Sequence, residues 1–214
     1  MYDLRGKGGG RVDAAVKLAP TTRAPAPGTL AGFLIDTSFN FLSVAAIKGV
    51  IDAMSYAKFN ILHWHATDDP SWPITSATYP NFTAYGAFSS VAVYSLADQL
   101  AIRDYAAERG ILILIELDMP GHAQIWKAGN PSYVITCPGG QTLLNPITAS
   151  GIYDVIRNLI AEYAARFPGM PFIHLGTCGT LAPLPAHPTV YIIYCIAARP
   201  VCRRRRGVDP EVLE

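Results

Sequence analysis

The chain has 214 residues, half of them hydrophobic and 15% charged, so it can bury a core and is too apolar for a disordered protein. The formal net charge of +1 gives no reason to expect nucleic acid or an acidic surface as a partner. No apolar run reaches the ~18 residues of a membrane-spanning helix, so we expect no membrane partner.

Residues 1–31 are rich in Gly, Pro, Thr and Ala, and we expect them to form a flexible leader. The segment has Lys and Arg but no continuous apolar core, so no signal peptide is visible. The four cysteines lack the spacing of metal ligands, and both two disulfides and four free thiols fit the sequence. They are Cys137, Cys178, Cys195 and Cys202.

Strand and helix patterns then alternate four times along the chain. Short apolar runs that end in polar residues predict strands at 32–36, 59–65, 111–115 and 172–175. Apolar residues three and four positions apart predict three helices. The first follows the N-cap Ser43, the second follows a capping box at Ser95 and Asp98, and the third covers 152–163. A Pro-rich excursion at 70–90 separates the second strand from the second helix.

The alternation favours an α/β fold with a parallel sheet and right-handed crossovers. The run at 111–115 is apolar on both faces, as in a sheet covered by helices. Two architectures fit this pattern. One is a small open doubly wound sheet, and the other is the first four βα units of a partial (β/α)8 TIM barrel, which takes about 250 residues when complete. From Thr177 onward, prolines and a basic run at 203–206 predict an irregular C-terminal tail, with a strand pattern only at 190–197.

Titratable side chains collect at or just after the predicted strand ends. They are Asp36, His63, His65, Asp68, Asp69, Glu116, Asp118, His122 and His174. Since parallel α/β sheets carry their chemistry at the carboxyl ends of strands, we expect these residues to form one site. A single strand-end acid is more often a cap, and His63 is equally compatible with a hydrogen-bonded core histidine. Trp72 and Trp126 fit either packing or a platform for a sugar ring.

A cluster of acids and histidines is compatible with two chemistries. Paired carboxylates cleave glycosidic bonds, one as acid and the other as nucleophile, base or orienting group. Alternatively, His63 and His65, which share one face of a strand, hold a divalent metal that activates water. The metal alternative needs further ligands, for which His122 and His174 are the other histidines at predicted strand ends.

Four sequence motifs favour glycoside cleavage over the metal alternative. They are GFLIDTS at 32–38, HWHATDDPSWP at 63–73, ELDMPGH at 116–122 and FIHLG at 172–176. In order and spacing they resemble the β-N-acetylhexosaminidases of glycoside hydrolase family 20. The resemblance implies a (β/α)8 barrel that removes terminal N-acetylhexosamine residues from glycans with retention. In this family the substrate's acetamido oxygen attacks C1, an aspartate orients it, and the adjacent glutamate protonates the leaving oxygen, so no metal or other cofactor is required.

The resemblance also assigns residues to the polar network around the sugar. By their match to the family motifs these are Asp36, His65, Asp68, Asp69, Asp118, His122 and His174. The implied partner is a glycan that contains N-acetylhexosamine, and the oligomeric state stays open. Family members are lysosomal, secreted or periplasmic, and the location of this chain stays open as well because the expected export signal is not visible.

The chain departs from the family pattern in three places. Ala31 stands where an arginine usually grips sugar hydroxyls, and Phe39 and Asn40 stand where Arg-His is common. The catalytic Asp-Glu dyad is expected at Cys178 and Gly179, so both catalytic carboxylates are missing. Loss of the general acid alone should lower the rate by about 10²–10⁴-fold.

We therefore expect residues 32–176 to be the N-terminal half of a hexosaminidase barrel, truncated before the dyad and inactive. The alternative is a non-catalytic remnant that binds carbohydrate. Because the resemblance stops abruptly at Gly176, we also expect residues 177–214 to be an out-of-frame tail. Asp68 and Asp69 should not replace the dyad, since they follow a different strand and a general acid must reach the leaving oxygen.

Overall fold

The computed structural model describes residues 30–136, 142–178, 181–183 and 191–195. Most of the expected leader and most of the tail, including Gly179 and the basic run at 203–206, lie outside the described residues. Within the described ranges, no helix has both the length and the apolar composition needed to cross a bilayer.

Helices and strands alternate through the described part of the chain. In chain order they are β1 (Gly32–Asp36), α1 (Val44–Tyr56), β2 (Ile61–Thr67), α2 (Asn81–Gly86), α3 (Leu96–Ala107), β3 (Leu112–Met119), β4 (Val134–Thr136), β5 (Thr142–Leu144), α4 (Ile152–Arg166), β6 (Phe172–Cys178), β7 (Leu181–Pro183) and β8 (Tyr191–Cys195). Short 3₁₀ turns lie at Gln124–Ala128, Pro131–Tyr133 and Thr148–Ser150.

Six strands form the main sheet in the order β1-β2-β3-β6-β8-β7. The first five of these strands are parallel, and β7 is antiparallel to β8. Strands β4 and β5 form a separate antiparallel pair. Among the described strands, parallel neighbours follow one another in chain order, without the reversal of strand order that is typical of a doubly wound sheet.

The four predicted strands and three predicted helices are all present. Strand β3 continues past the apolar run to Met119, which places Glu116 and Asp118 inside the strand. Helix α2, within the Pro-rich excursion, was not predicted. The expectation of an irregular tail needs correction, because β7 and β8 extend the sheet there, and β8 falls within the 190–197 strand pattern.

Two helix starts have the predicted caps. The Ser43 hydroxyl accepts a hydrogen bond from the Ala46 N–H at the start of α1 (3.1 Å). At the start of α3, Ser95 and Asp98 form the complete capping box, with backbone to side-chain distances of 3.0 and 3.1 Å. Each cap contributes about 1 kcal/mol to the stability of the fold.

The two faces of the sheet differ sharply. Alternate strand residues, such as Leu62, Trp64 and Ile115, pack under the helices in the large core. The helices contribute fully buried residues to this core, among them Ile47, Ile51, Ile102, Leu159 and Tyr163. The opposite face, here called the inner face, carries a small buried apolar cluster of Ile61, Leu114 and Met170, with Phe172 beside it.

The long segment after β2 is anchored by aromatic packing. The rings of Trp72 and Phe82 stack with centroids 4.3 Å apart, and Trp126 meets both rings edge-on at 5.1 and 5.4 Å. All three side chains are fully buried. Trp72 and Trp126 therefore pack the core, and the sugar-platform alternative is wrong for them.

A buried ion pair anchors the same segment to α4. Glu162 accepts hydrogen bonds from the Ser76 hydroxyl and the Ala77 N–H, both at 2.7 Å, and pairs with Arg166. Arg166 in turn donates to the Gln99 amide oxygen of α3 at 2.6 Å. Polar contacts across three elements thus hold this segment against the helical layer.

Candidate active site

Strand register brings polar residues from three strands into one row on the inner face. Glu116 of β3 pairs with His65 of β2 on one side and with His174 of β6 on the other. Side chains two residues apart share a face, so His63 lies on the same side of β2 as His65. The row lies toward the carboxyl ends of the parallel strands, where the sequence predicted a site.

Glu116 is the centre of this row, because three imidazoles converge on its carboxylate. His63 Nε2 lies 2.6 Å and His65 Nδ1 3.0 Å from Oε2, while His174 Nδ1 lies 2.9 Å from Oε1. Burial by itself would raise the pKa of Glu116, but hydrogen bonds from the three histidines hold this pKa well below its usual range. Glu116 is therefore ionised and serves as a fixed negative anchor.

His65 has a carboxylate at each ring nitrogen. Its Nε2 donates to Asp68 Oδ2 at 3.1 Å, and its Nδ1 donates to Glu116. Burial by itself would lower the pKa of His65, but the hydrogen bonds to Asp68 and Glu116 outweigh burial and raise the pKa to about 10. The ring is consequently a doubly protonated imidazolium at neutral pH, which links two carboxylates.

His122 completes the network from the loop after β3. Its Nδ1 lies 3.0 Å from Asp68 Oδ1 and 3.8 Å from Asp118 Oδ2, and its side chain is 63% exposed. The residue adopts a left-handed backbone conformation with φ of 52°, two residues after a cis Met119–Pro120 bond. Burial opposes the shift, but the charges of Asp68 and Asp118 raise the pKa of His122.

Asp118 is buried against Gly176 of the neighbouring strand. A Cβ atom on Gly176 would lie 1.8 Å from Asp118 Oδ1, and Gly176 has φ of 81°, so only glycine fits here. Burial raises the pKa of Asp118 to about 7, and the negative charges of Asp68 and Glu116 act in the same direction. Asp118 is thus a carboxyl that exchanges its proton near neutral pH.

Two of the predicted site acids hold loops. Asp36 Oδ1 accepts from the backbone N–H groups of Ser38 and Phe39, both at 2.9 Å. Asp69 Oδ1 accepts from the Gln124 N–H at 2.8 Å. Asp36 therefore caps a turn, which was one of the roles expected for a strand-end acid. Its charge is also close enough to contribute to the raised pKa of His65.

The structure thus brings together His65, Asp68, Asp118, His122 and His174. Asp36 lies beside His65 in the strand register, and Asp69 is exposed. The assignment from family motifs left out His63 and Glu116. The signal for both was in the strand alternation, since His63 shares a face with His65 and Glu116 with Asp118. Cys178 ends β6, and Gly179 lies outside the described residues.

Three groups of donors in the described part of the chain have metal-ligand spacing, with donor atoms within 4.8 Å of one another. They are His63, Glu116 and His174; His65, Asp68 and Asp118; and Asp68, Asp69 and His122. His63 and His65 fall in different groups, and both ring nitrogens of His65 already face carboxylates. The geometry therefore does not offer the predicted His63 and His65 ligand pair.

Comparison with known proteins identifies the family. The model of glycosyl hydrolase family 20, catalytic domain, matches residues 30–178. The chain is 38% identical over 152 residues to β-hexosaminidase subunit alpha of Rattus norvegicus and 39% identical over 150 residues to subunit beta of Homo sapiens. It is also 39% identical over 145 residues to β-hexosaminidase 1 of Arabidopsis thaliana. Each alignment covers 68% of this chain and 26–28% of the relative, so the chain spans less than a third of their length.

Solved structures give the same result. A glycoside hydrolase family 20 β-N-acetylglucosaminidase superposes with a TM-score of 0.62 at 25% identity, covering 69% of this chain and 36% of that one. The Streptomyces plicatus N-acetyl-β-hexosaminidase superposes with a TM-score of 0.60 at 27% identity, covering 69% and 32%. The family match, the shared parallel sheet and the row of acids and imidazoles agree, and the chain belongs to glycosyl hydrolase family 20.

Proposed function

We propose that residues 32–176 are the N-terminal half of a (β/α)8 barrel from a β-N-acetylhexosaminidase. The observation that carries the proposal is the row of His65, Glu116 and His174, which aligns three neighbouring strands at their carboxyl ends. Barrel enzymes carry their active sites at this end. The unreversed strand order also supports a barrel over an open doubly wound sheet.

The proposed ligand is a terminal N-acetylhexosamine of a glycan. A family 20 relative from Vibrio harveyi, 25% identical over 71% of this chain, was solved in complex with N-acetylglucosamine. The exposure of the His122 imidazole and the Asp69 carboxylate supports this ligand, because both groups are accessible for hydrogen bonds to sugar hydroxyls. Asp118, Asp68 and Glu116 hold the histidines in place behind them.

The chain itself is proposed to be catalytically inactive. Substrate-assisted hydrolysis needs one carboxylate to orient the acetamido group and another to protonate the leaving oxygen. At the positions of that dyad the chain has Cys178 and Gly179. The family match ends at residue 178 although the sequence continues to residue 214, which supports a change of reading frame or an exon junction near Gly176.

Two measurements test this function. The DNA that encodes residues 177–214, translated in another reading frame, should give Gly-Asp-Glu followed by the later barrel strands. Stop codons in both other frames would refute the frame change. A chromogenic N-acetylglucosaminide should not be hydrolysed by the purified chain. Hydrolysis that survives both Asp118→Asn and His122→Ala would mean that the site lies elsewhere.

A graft tests the site independently of the missing dyad. Residues 32–176 would replace the matching segment of a complete β-hexosaminidase, which supplies its own Asp-Glu dyad and second half. We expect the chimera to hydrolyse the N-acetylglucosaminide and to lose activity with His122→Ala. Calorimetry of the unmodified chain with N-acetylglucosamine decides whether sugar binding alone remains, as in the carbohydrate-binding alternative.

A further inference from the structure

His63, Glu116 and His174 have the donor composition of a transition-metal site. Each offers one ligand atom within 4.8 Å of the others. His63 Nε2 and His174 Nδ1 approach opposite oxygens of Glu116, at 2.6 and 2.9 Å, and the two rings are 4.6 Å apart between centroids. Two imidazoles and one glutamate are the three protein ligands of a common class of catalytic zinc sites.

We propose that these three residues bind one Zn²⁺ ion on the inner face of the sheet. The ligands are Nε2 of His63, a carboxylate oxygen of Glu116 and Nδ1 of His174, and the fourth position stays open to water. The hexosaminidase chemistry proposed above requires no metal, so zinc binding is measured separately from it, although Glu116 and His174 belong to both sites.

The ion displaces the present contacts of the two imidazole nitrogens. His63 Nε2 and His174 Nδ1 each lie against a Glu116 oxygen, and His174 Nδ1 also accepts a hydrogen bond from the Gly176 N–H at 3.0 Å. Metal ligation requires both nitrogens without protons and replaces the contact with Gly176. Bonds of about 2.0–2.1 Å in tetrahedral geometry separate the donor atoms by roughly 3.4 Å, so each nitrogen must move away from its nearest Glu116 oxygen by less than about 1 Å. The His63 and His174 side chains are 19% and 14% exposed, which leaves a path for the ion from solvent.

The surroundings also fit a metal site. Ligating carboxylates are usually held by further hydrogen bonds, and His65 Nδ1 donates to Glu116 Oε2 at 3.0 Å while Asp68 holds the other side of His65. Two residues before the histidine ligands on the same face, Ile61 and Phe172 form part of the small apolar cluster. These apolar side chains limit the access of water to the donor atoms and so favour binding of the metal ion.

The two competing donor groups are less suitable for zinc. Each ring nitrogen of His65 already lies against a carboxylate, at 3.1 Å from Asp68 and 3.0 Å from Glu116, and its group with Asp68 and Asp118 contains one imidazole. The group of Asp68, Asp69 and His122 has two carboxylates and one imidazole at the exposed rim, a set better suited to weak binding of hard cations. Only the proposed group contains two imidazoles, and this difference can be measured.

The test is a calorimetric titration of the full chain with zinc chloride in a non-chelating buffer. The four cysteines are first replaced, as Cys137→Ser, Cys178→Ser, Cys195→Ser and Cys202→Ser, so that thiolates do not compete for the ion. We expect one ion per chain and release of protons on binding. His63→Ala and His174→Ala should each weaken binding by more than the ~10–100-fold that loss of a supporting residue costs, whereas His122→Ala should leave it within a factor of about three.

X-ray absorption of the zinc-loaded chain keeps the proposal testable if an alanine variant fails to fold. Two imidazoles in the first coordination sphere would support the site, because each competing group supplies one. Absence of binding, one imidazole, or sulfur ligation in the chain with its native cysteines would overturn the proposal. So would zinc binding that is lost in His122→Ala and retained in His63→Ala.

Discussion

His65 joins the charges of the site, because it lies between the buried carboxylates of Glu116 and Asp68. Both ring nitrogens donate, so the cation neutralises two anions that would otherwise repel each other in a low-dielectric setting. Removing one member of a buried ion pair typically costs about 3–5 kcal/mol, because it leaves uncompensated buried charge. The same residue therefore has a stabilising role alongside any role in sugar binding.

The first prediction concerns the pH dependence of this stabilisation. His65→Gln should lower the free energy of unfolding by about 3 kcal/mol near pH 6. Because the pKa of His65 is raised to about 10 in the folded state, its contribution is fully present below its unfolded pKa of about 6.5 and is lost as the pH rises through 10. Urea unfolding at several pH values should therefore show the two proteins converging.

The exposed His122 provides a control for this series, since His122→Gln should change the unfolding free energy by less than about 1 kcal/mol. A difference between wild type and His65→Gln that stays constant up to pH 10 would contradict the imidazolium assignment.

The second prediction concerns the cost in stability of replacing Gly176, and it separates the steric clash with Asp118 from backbone strain. Gly176→Ala places Cβ 1.8 Å from Asp118 Oδ1, whereas Gly151 has a similar φ of 74° and nothing within 4 Å of its added Cβ. Gly151→Ala should cost about 1–2 kcal/mol, and Gly176→Ala should cost clearly more. Thermal unfolding of the two variants measures the difference.

Adding Asp118→Ala to Gly176→Ala should recover part of the loss by opening space for the methyl group. Equal costs for the two glycine variants would show that Asp118 does not press on this position.

Residue identities at strand ends could be predicted, but their partners could not. The titratable residues were found because each follows a local apolar run. The contact between His63 and Glu116 joins residues 53 positions apart, and it depends on the register between two strands. Because local patterns carry no information about register, Glu116 was recognised as a strand-end acid without its place at the centre of the network.

At the scale of elements, the same contrast between local and long-range information recurs. The capping box of α3 was predicted because Ser95 and Asp98 are three residues apart. Helix α2 was not predicted, since it has six residues, follows Pro80 and lacks a side-chain cap. It is held by Phe82, which packs between Trp72 and Trp126, and this contact appears only in the folded chain.

The third prediction concerns the attachment of the segment after β2 to α4. Glu162→Gln removes the charge that accepts from the Ala77 and Thr78 N–H groups, at 2.7 and 3.3 Å, and pairs with Arg166. We expect a loss of about 2–4 kcal/mol, because Arg166 is left buried without its counter-ion. Hydrogen exchange at Ala77 and Thr78 should accelerate more than exchange in the β2 and β3 strands.

Glu108→Gln is the matched control, because Glu108 is 73% exposed and its nearest cation is 3.6 Å away. Unchanged exchange at Ala77 and Thr78 in Glu162→Gln would contradict the proposed attachment.

At the scale of the whole molecule, the two edges of the sheet formed by the described strands differ. The far edge is the short strand β7, which includes Pro183 and so offers few free N–H groups. At the other edge, β1 pairs with β2 alone among the described strands. Its residues Phe33 and Leu34 are 46% and 51% exposed, although a strand of this composition is normally covered.

The fourth prediction is that this edge causes concentration-dependent self-association. Leu34→Lys places a charge on the inner face of the edge strand β1, beside His63, and should lower the average mass seen by sedimentation at high protein concentration. Val91→Lys is the control, since Val91 is 85% exposed in a loop. A chain that stays monomeric at every concentration, with or without Leu34→Lys, would refute the prediction.

The overall fold was predictable up to the choice of architecture. Alternating patterns gave four strands and three helices, and the order of the strands came only from the structure. Sequence periodicity describes which face of an element is buried, and it does not specify which strand lies beside which.

The burial of Trp64, Trp72 and Trp126, the three tryptophans of the chain, has an optical consequence. Indoles shielded from water emit at short wavelength and are poorly reached by iodide, so the intrinsic fluorescence should be blue-shifted and resistant to quenching until the core opens. A sugar or a zinc ion that occupies the inner face should leave this emission nearly unchanged. Ultraviolet emission will therefore report global unfolding of this chain, and detection of ligands needs a different signal.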